Sequence, residues 1–568
     1  MTRLHRRPLA LCLAALLAAP AVPAFASTIT VTNCADAGTG SLRDAVATAV
    51  SGDTIDFDAA LACSTITLTS GAITIATGSD GMPLTTLEIR GPGRNALAID
   101  GNYTDRVIAH QAGPDSTLLV TNLAMHHGFT GGDGGCIFSE GTVNLAYAEL
   151  SECGAGVATL ASTPRGDTGT RGGALAAGAD VSLASSFVGD SKVDGGSGYA
   201  YGGGVFAVHN LLLTGSTISG NFATSDSGAT YGGGVSVGRR DTGTQGVLTA
   251  TTSDIENNGA FSHCGACPVR GGGAFVYGNT AFGPGSISGN SAFSDAHYGA
   301  GGGLYFKSAF GGAPVGAAIV DTNVGSNSAD NDGGAIGAGG DLQIVHGTIS
   351  GNSGRAGGAI LQLAGQLWVY SSLLTGNIAQ TNGGAIWQFG YGDVTVKNST
   401  ISENLAVGSG GAIANSYGSV HLTNSTLTGN SANGSGGGIW FDYAYYTLGI
   451  ESTIVAGNTA GESPDDIFAP GGTVDGSHNL IVAAPGVNLP PDTITDDPLL
   501  LPLADNGGLT MTHALAQGSP AIDAGSNPES FVFDQRASGF PRISGLAADI
   551  GAFEVQSTDS IFANGFDP

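Results

Sequence analysis

Few residue groupings in this chain have the types and spacing to do chemistry. Two adjacent carboxylate pairs, Asp465-Asp466 and Asp496-Asp497, contain the groups a hydrolase uses as acid and base. Adjacent residues on a strand point to opposite sides, so neither pair is an acid/base couple by itself, and turn or cap duty suits both better. Beyond residue 26 the lysines are Lys192, Lys307 and Lys397, each isolated in the sequence. His126-His127 is the one adjacent histidine pair. His209, His263 and His297 share a stretch with Arg239, Arg240, Arg270 and Tyr298. A cleft there is conceivable, but scattered surface histidines are the simpler account. Asp330-Asn331-Asp332 precedes a Gly-Gly turn and has oxygens for calcium. It lacks a regular nonapeptide calcium repeat, so a solvated turn is favoured, and no metal site or cofactor is expected. Cys264-Gly-Ala-Cys267 is spaced like half a metal site, yet no second such pair exists and only His263 is near. A small loop-closing disulfide fits better.

The first residues bear on compartment. Arg3, Arg6 and Arg7, the apolar run Leu9 to Ala21 and Ala24-Phe25-Ala26 read as a secretory signal peptide, cleaved after Ala26. The apolar run is too short to span a bilayer, no later segment is long enough, and no integral membrane segment is expected. The chain carries 46 Asp and Glu against 18 Lys and Arg, and loss of the three leader arginines moves its net charge from −28 to −31. Such a charge repels nucleic acid and anionic lipid, and argues against charge-driven binding of polyanions unless calcium bridges them. With 41% hydrophobic and 11% charged residues the chain is too apolar to be disordered.

Two motifs recur at one period. Gly-Gly-small-apolar places its apolar residue at Ile137, Leu175, Val205, Val235, Phe275, Leu304, Ile336, Ile360, Ile386, Ile413 and Ile439. Ser/Thr-x-apolar-x-x-Asn ends at Asn221, Asn258, Asn290, Asn327, Asn352, Asn377, Asn404, Asn430 and Asn458. The last steps are 24, 26, 27 and 26 residues in the first series and 25, 25, 27, 26 and 28 in the second. Earlier steps of the first series, 29 to 40 residues, imply insertions in the N-terminal coils. Within Gly383–Asn404, Ile386, Val394 with Val396, and Ile401 mark three short strands of period two, separated by Gly, Asn and Ser turns. No unit has a helical stripe. Three short strands per repeat predict an all-β fold, a right-handed, three-sided parallel β-helix of the pectate-lyase kind. Roughly fourteen coils would span about 65–70 Å. Identical Asn amides can bond up and down such a stack.

A solenoid needs caps, because its end coils would expose core and open sheet edges. Ser41-Leu42-Arg43-Asp44 resembles a capping box, and Leu42, Ala45, Val46 and Ala49 predict a short amphipathic helix with Gly52 as its C′ residue. Six cysteines remain after the leader, an even count that reads as disulfides in an exported chain. Of fifteen connectivities we prefer the nearest-neighbour one: Cys34–Cys63, Cys136–Cys153 and Cys264–Cys267. Cys153 stands where other units carry the ladder Asn, which favours its pairing with Cys136 in the same coil.

Both ends resemble known bacterial surface proteins. Thr30-Val31-Thr32-Asn33, Gly40-Ser41-Leu42-Arg43-Asp44-Ala45 and Gly52-Asp53-Thr54-Ile55 resemble the start of secreted β-helix proteins of the CSLREA group, with Gly40 where that motif has Cys. Asp497-Pro498-Leu499-Leu500, Gly518-Ser519-Pro520-Ala521-Ile522-Asp523-Ala524-Gly525, Asp534-Gln535-Arg536 and Asp549-Ile550-Gly551-Ala552-Phe553-Glu554 resemble the choice-of-anchor Q domain. The resemblance implies an exported or surface protein, polymorphic outer-membrane or adhesin-like, and no agreed reaction. The expected organisation is signal peptide 1–26, N-terminal cap and first coils 27–110, β-helix 111–465, C-terminal choice-of-anchor Q-like domain 466–557 and tail 558–568. The tail looks like a short terminal tag of exported proteins.

Lyases of this shape need a Lys or Arg base near acidic calcium ligands, and related pectin hydrolases share Gly-His-Gly and Arg-x-Lys motifs that are absent here. The stronger hint is a stripe. If the apolar residue of each Gly-Gly motif points inward, its neighbours point outward. The preceding position is always small. The following position includes Phe138, Phe206, Tyr305, Trp387 and Trp440, a ligand-binding face for sugar rings or an apolar partner surface. Trp387 and Trp440 would stand two coils apart, about 9–10 Å, with Ala414 between. The sequence favours a secreted or cell-surface interaction protein, monomeric and adhesin-like, whose partner is a polysaccharide or a cell-surface protein. A polysaccharide lyase or glycoside hydrolase is the alternative. It requires paired carboxylates, or a base with a cationic partner, converging in one groove.

Overall fold

The computed structural model describes residues 26–156, 169–307, 316–441, 446–461, 463–470 and 472–556. The expected signal peptide, except Ala26, and the expected tail 558–568 lie outside the described residues.

Each repeat is one turn of a right-handed parallel β-helix. In one coil the chain runs through Ile386–Gln388, Val394–Lys397, Thr400–Ser402 and Leu405–Ala406, then re-enters the first position at Ile413–Asn415. Stacking these positions gives sheets 1 to 4, of 14, 16, 15 and 13 strands among the described residues. Register is kept residue for residue along the inward column, as in Ile360↔Ile386, Ile386↔Ile413 and Ile413↔Ile439, with a shift after Ala338 in the same sheet. The fourth strand departs from the three expected. It is only two to four residues long, too short to display period two in the sequence.

The Gly-Gly corner has a steric cause. Gly383 sits at φ +70, where a side chain is strained, and a Cβ on Gly384 would lie 2.1 Å from the Gly411 carbonyl oxygen of the next coil. Past the corner, Ile336, Ile360, Ile386, Ile413 and Ile439 form a column with no solvent exposure. One coil departs from the expected frame. Val235 pairs with Ala274, so Ala274 occupies the inward column and Phe275 points outward. The inward residue here is a small Ala followed by an apolar Phe, so the motif reads one residue late.

Between sheets 3 and 4 the nine asparagines form a continuous ladder. From Asn258 on, each buried amide accepts the backbone N–H and the Nδ2 of the Asn in the coil before it, as in Asn377 to Asn404 at 2.9 Å for both bonds. Asp466 ends the ladder by accepting both donors of Asn458 at 2.9 and 2.8 Å, which is the work one expected carboxylate pair performs. A second ladder of hydroxyls, Ser372, Ser399, Ser425 and Thr453, serves the corner between sheets 2 and 3. An unbonded amide buried there would cost about 1–3 kcal/mol.

The caps differ from one another. Helix Leu42–Thr48 buries Leu42, Ala45 and Val46 on the first coil. Ser41 Oγ accepts the Asp44 N–H, and Asp44 returns the bond to the Gly40 N–H. The helix stops at Ala49, so Gly52 belongs to the following turn and is not its C′ residue. Cys34–Cys63 ties this lid to the first coil, and Cys136–Cys153 and Cys264–Cys267 are also joined. At the other end Val487 and Leu489 pack on the last core layer. The chain then folds back as a strap along the outer side of sheet 3. Thr400 meets Gln535, Thr426 accepts the Ala552 N–H, and Asn424 donates to the Ser526 carbonyl. Leu515, Ala521, Ile550 and Phe553 bury Ile454 and Ala456. The motif residues hold the strap together. Arg536 pairs with Asp534 at 2.7 Å and lies between the rings of Phe540 and Phe553. Arg542, Asp549 and Glu554 are buried beside them.

Two outcomes test this architecture. Ile386→Asp buries an unpaired carboxylate at a fully enclosed position, whereas Val407 is 44% exposed. Ile386→Asp is expected to cost several kcal/mol, on the order of 4, and Val407→Asp about 0.5 or less. Equal loss in chemical denaturation of the two variants would refute the inward column. The second outcome concerns the strap. Burial raises the Glu554 carboxyl from 4.5 to about 7, with Asp549 adding to the effect. Between those values the folded state holds a proton that the unfolded chain releases, so this group's contribution to stability falls as pH rises from about 4.5 to about 7. Wild type should lose stability relative to Glu554→Gln between pH 5 and pH 7.5 by calorimetry. A difference that is flat or reversed over that window overturns the assignment.

Candidate functional site

The long N-terminal coils use their extra residues to build a fifth sheet. Its strands are Gly169–Arg171, Tyr199–Tyr201, Thr230–Tyr231, Val269–Arg270 and Gly299–Ala300. It packs on sheet 4 through small residues, Ala155, Val193, Ala200 and Ala223. Its other side carries Tyr201 and Tyr231, which close over Phe206, Phe275 and Tyr305 from the outer face of sheet 1. The Tyr201 and Tyr231 rings stack at 5.1 Å, and Tyr231 lies 4.7 Å from Phe275.

This divides the expected binding face. Phe206 and Tyr305 are 2% and 4% exposed and form part of a packing seam, so these two are corrected. Phe138 stays half-buried with the Arg106 guanidinium over its ring at 5.5 Å. Trp387 and Trp440 are also half-buried and stand in one column through Ala414. Fold-level reading placed all five in one lane. Only the burial of each shows that the fifth sheet covers the middle of it.

A groove opens where the fifth sheet ends. Beyond Ala300 its line continues only as single bridges at Asp332 and Ala356. The coils shorten there, and a cavity of about 400 Å³ lies over the outer face of sheet 1. Leu361 and Trp387 form its floor, Asp332, Arg355 and Asn382 one wall, and Leu363 and Phe389 the other. A neighbouring cavity of about 520 Å³ shares Asn331, Arg355 and Thr381 with it and reaches His297 and Tyr298. The Trp387 indole N–H donates to Ser416 Oγ at 3.2 Å, and its ring meets Phe389 edge-on at 4.9 Å. Phe389 is 48% exposed, and Tyr391 with Tyr417 extends the aromatic surface.

Arg355 borders this groove, and further cations lie in the coils before it. Burial and the charges of Arg240 and Arg270 lower the Lys307 amine from its ordinary value. Lys307, isolated in sequence, therefore has two cationic neighbours in space. Arg270 lies over the Tyr305 ring at 4.9 Å, and Arg240 bonds the Tyr231 hydroxyl. Burial raises the Asp332 carboxyl, while Arg270 and Arg355 act against it and Asp330 with it. Asp241, paired with Arg239 at 2.7 Å and Arg171 at 3.7 Å, is lowered by those cations against the penalty of burial.

Other sequence candidates fall elsewhere. His127 sits on the outer side of sheet 3 between Asp100 and Glu152, and His126 bonds Ser151. His209 is exposed, and His263 meets Asp295. Asp330 spends its oxygens on the Ser294 and Gly299 N–H groups. Among the described residues no group of three or more His, Cys, Asp or Glu is placed to hold a metal ion. Asp497 accepts the Leu499 N–H, and Asp465 the Gly436 N–H. Phe389 was legible, since it follows Trp387 by two residues. Arg355 was missed, although the shortening of the repeat after Ile336 marks where the inserted residues stop.

No family model matches the chain, and no curated protein matches it. It is similar to a solved structure described as the crystal structure of pectate lyase Pel9A, at 13% identity and a TM-score of 0.23, across 93% of this chain and 97% of that one. A likeness of that strength carries no argument about activity.

Proposed function

We propose that the mature chain is an extracellular or cell-surface β-helix that binds glycans along the outer face of sheet 1, with Trp387 at the centre of the contact. The carrying observation is Trp387 itself: a half-buried indole on the floor of an open groove, its N–H anchored by Ser416 and its ring braced by Phe389. An aromatic held at its edges and open on its face stacks against the apolar side of a sugar ring. Trp440, in the same column two coils on, extends the platform by about 9–10 Å. Export is supported by the basic-apolar-small start of the sequence. A surface location is supported by the resemblance of the ends to CSLREA-type and choice-of-anchor Q segments. No helix among the described residues is long and apolar enough to cross a membrane.

One observation favours a second reading, a polysaccharide lyase. Lys307, its amine made easier to deprotonate by burial beside Arg240 and Arg270, is a base with cationic partners. A neutral amine can take the proton from the carbon next to a carboxylate. The electron pair forms a C=C bond as the β C–O bond breaks and the alkoxide leaves.

Both readings are tested on one panel of plant and bacterial polysaccharides. Trp387→Ala should weaken binding by roughly tenfold or more, on the order of 2 kcal/mol, with an unfolding midpoint near wild type. Unchanged affinity, or loss of the fold, refutes the platform. If the lyase reading holds, unsaturated product forms at a rate that rises with pH through the Lys307 pKa and levels above it, because the neutral amine is the reactive form. Lys307→Met then abolishes it. Product formation undiminished in Lys307→Met, or none on any polymer, sinks the lyase reading.

A further inference from the structure

The distribution of cations extends the glycan-binding reading and rests on it. Beyond residue 26 the chain has fifteen Lys and Arg against 46 Asp and Glu. Arg171, Arg239, Arg240, Arg270, Lys307 and Arg355 nevertheless border one face. They are linked through shared neighbours. Asp241 meets Arg171 and Arg239, Lys307 feels Arg240 and Arg270, and Asp332 feels Arg270 and Arg355. Arg355 then borders the groove floored by Trp387. The strip runs from the coil of Leu175 to that of Ile386, seven steps of the stack, or about 34 Å. Among the described residues Asp133, Asp241, Asp330 and Asp332 are the carboxylates that meet or influence these cations, in a chain whose net charge is strongly negative.

The geometry points to an acidic glycan as the ligand: a carboxylate-bearing polysaccharide lying along the Arg171-to-Arg355 strip, with one sugar ring on Trp387. Planar guanidinium groups recur along the stack, at Arg171, Arg239 with Arg240, Arg270 and Arg355, and such groups match carboxylates repeated along a polymer, where bidentate pairing fixes orientation. A neutral glycan would use the indole and leave the cations idle. Nucleic acid is disfavoured because its denser charge meets a mature chain of net charge −31. The whole-chain charge therefore misleads about polyanions, since the local field at a groove is set by the nearest charges.

The test uses full-length mature protein with alginate, polygalacturonate and hyaluronate, each beside its carboxyl-reduced form, and single-stranded DNA as a further arm. At least one acidic polymer should bind more tightly than its reduced form, by about tenfold or more, with an affinity that falls as salt rises. Arg240 and Arg355 are exposed, and because Arg240 bonds the buried Tyr231 hydroxyl, the unfolding midpoint of Arg240→Gln is measured beside that of Arg355→Gln. Each should weaken that binding about fivefold and flatten its salt dependence, with no loss for the reduced polymer. Equal binding of acidic and reduced forms, wild-type affinity in both variants, or tighter binding of DNA overturns the inference. In the first two cases the glycan-binding reading stands. Binding of no polysaccharide removes that reading as well.

Discussion

The in-register pairing of one coil on the next is the constraint on which everything else depends. A parallel stack buries its strands and their corners together, so every backbone group and every polar side chain at a corner needs a partner in the coil above or below. The asparagine ladder meets that demand between sheets 3 and 4, and the hydroxyl ladder between sheets 2 and 3. Both partners of each bond come from the same position in neighbouring repeats. A change of register by one residue would break the ladder and turn the isoleucine column outward at once. The ladder also ends deliberately. Ser191 and Cys153 take it over at one end, and Asp466, with acceptors only, closes it at the other.

Coil length is the free variable within that constraint. Residues added between sheets 4 and 1 leave the ladders untouched, because they enter after one corner and leave before the next. In the N-terminal coils they are enough to form a fifth sheet, which buries an aromatic seam on the outer face of sheet 1. In the C-terminal coils they are absent and the same face lies open. The groove is the step between the two regimes. Tyr305 marks it, since its ring lies over Gly337, where a Cβ would come within 2.6 Å. The aromatic column thus has two uses, as glue under the fifth sheet and as an open platform beyond it.

The C-terminal segment answers a different demand. It has little regular secondary structure and a small apolar core, so buried polar groups hold its shape: Arg536 paired with Asp534, and Glu554 accepting the Ser544 and Asp549 N–H groups. It runs along sheet 3, on the side of the solenoid away from the groove-bearing sheet, and ties several coils together through Thr400, Thr426 and Ser452. Lys397, one of the few lysines, is used here against Glu529 at 2.8 Å. The groove-side cations are thereby separated from this acidic, self-neutralised strap.

Much of the fold was legible in the sequence, because a solenoid repeats its local rules. The Gly-Gly and Asn motifs report the period, the inward isoleucines and the ladder without any long-range information, and nearest-neighbour pairing of cysteines suffices when each bridge closes one local unit. The fourth short strand and the frame at Phe275 were missed where a strand of two residues carries no pattern and where a small Ala takes the inward position. The site was legible only in part. Period two put Trp387 and Trp440 on the outer face, but Phe206 and Tyr305 obey the same rule and are buried. Whether an outward residue meets water depends on what the insertions fold over, and Lys307, Arg240 and Arg270 lie in three different coils. Sequence by itself determined which way side chains point, since that is local geometry. Only the tertiary structure decided which of them are covered and which charges meet, since burial and electrostatics depend on distances between segments far apart in the chain.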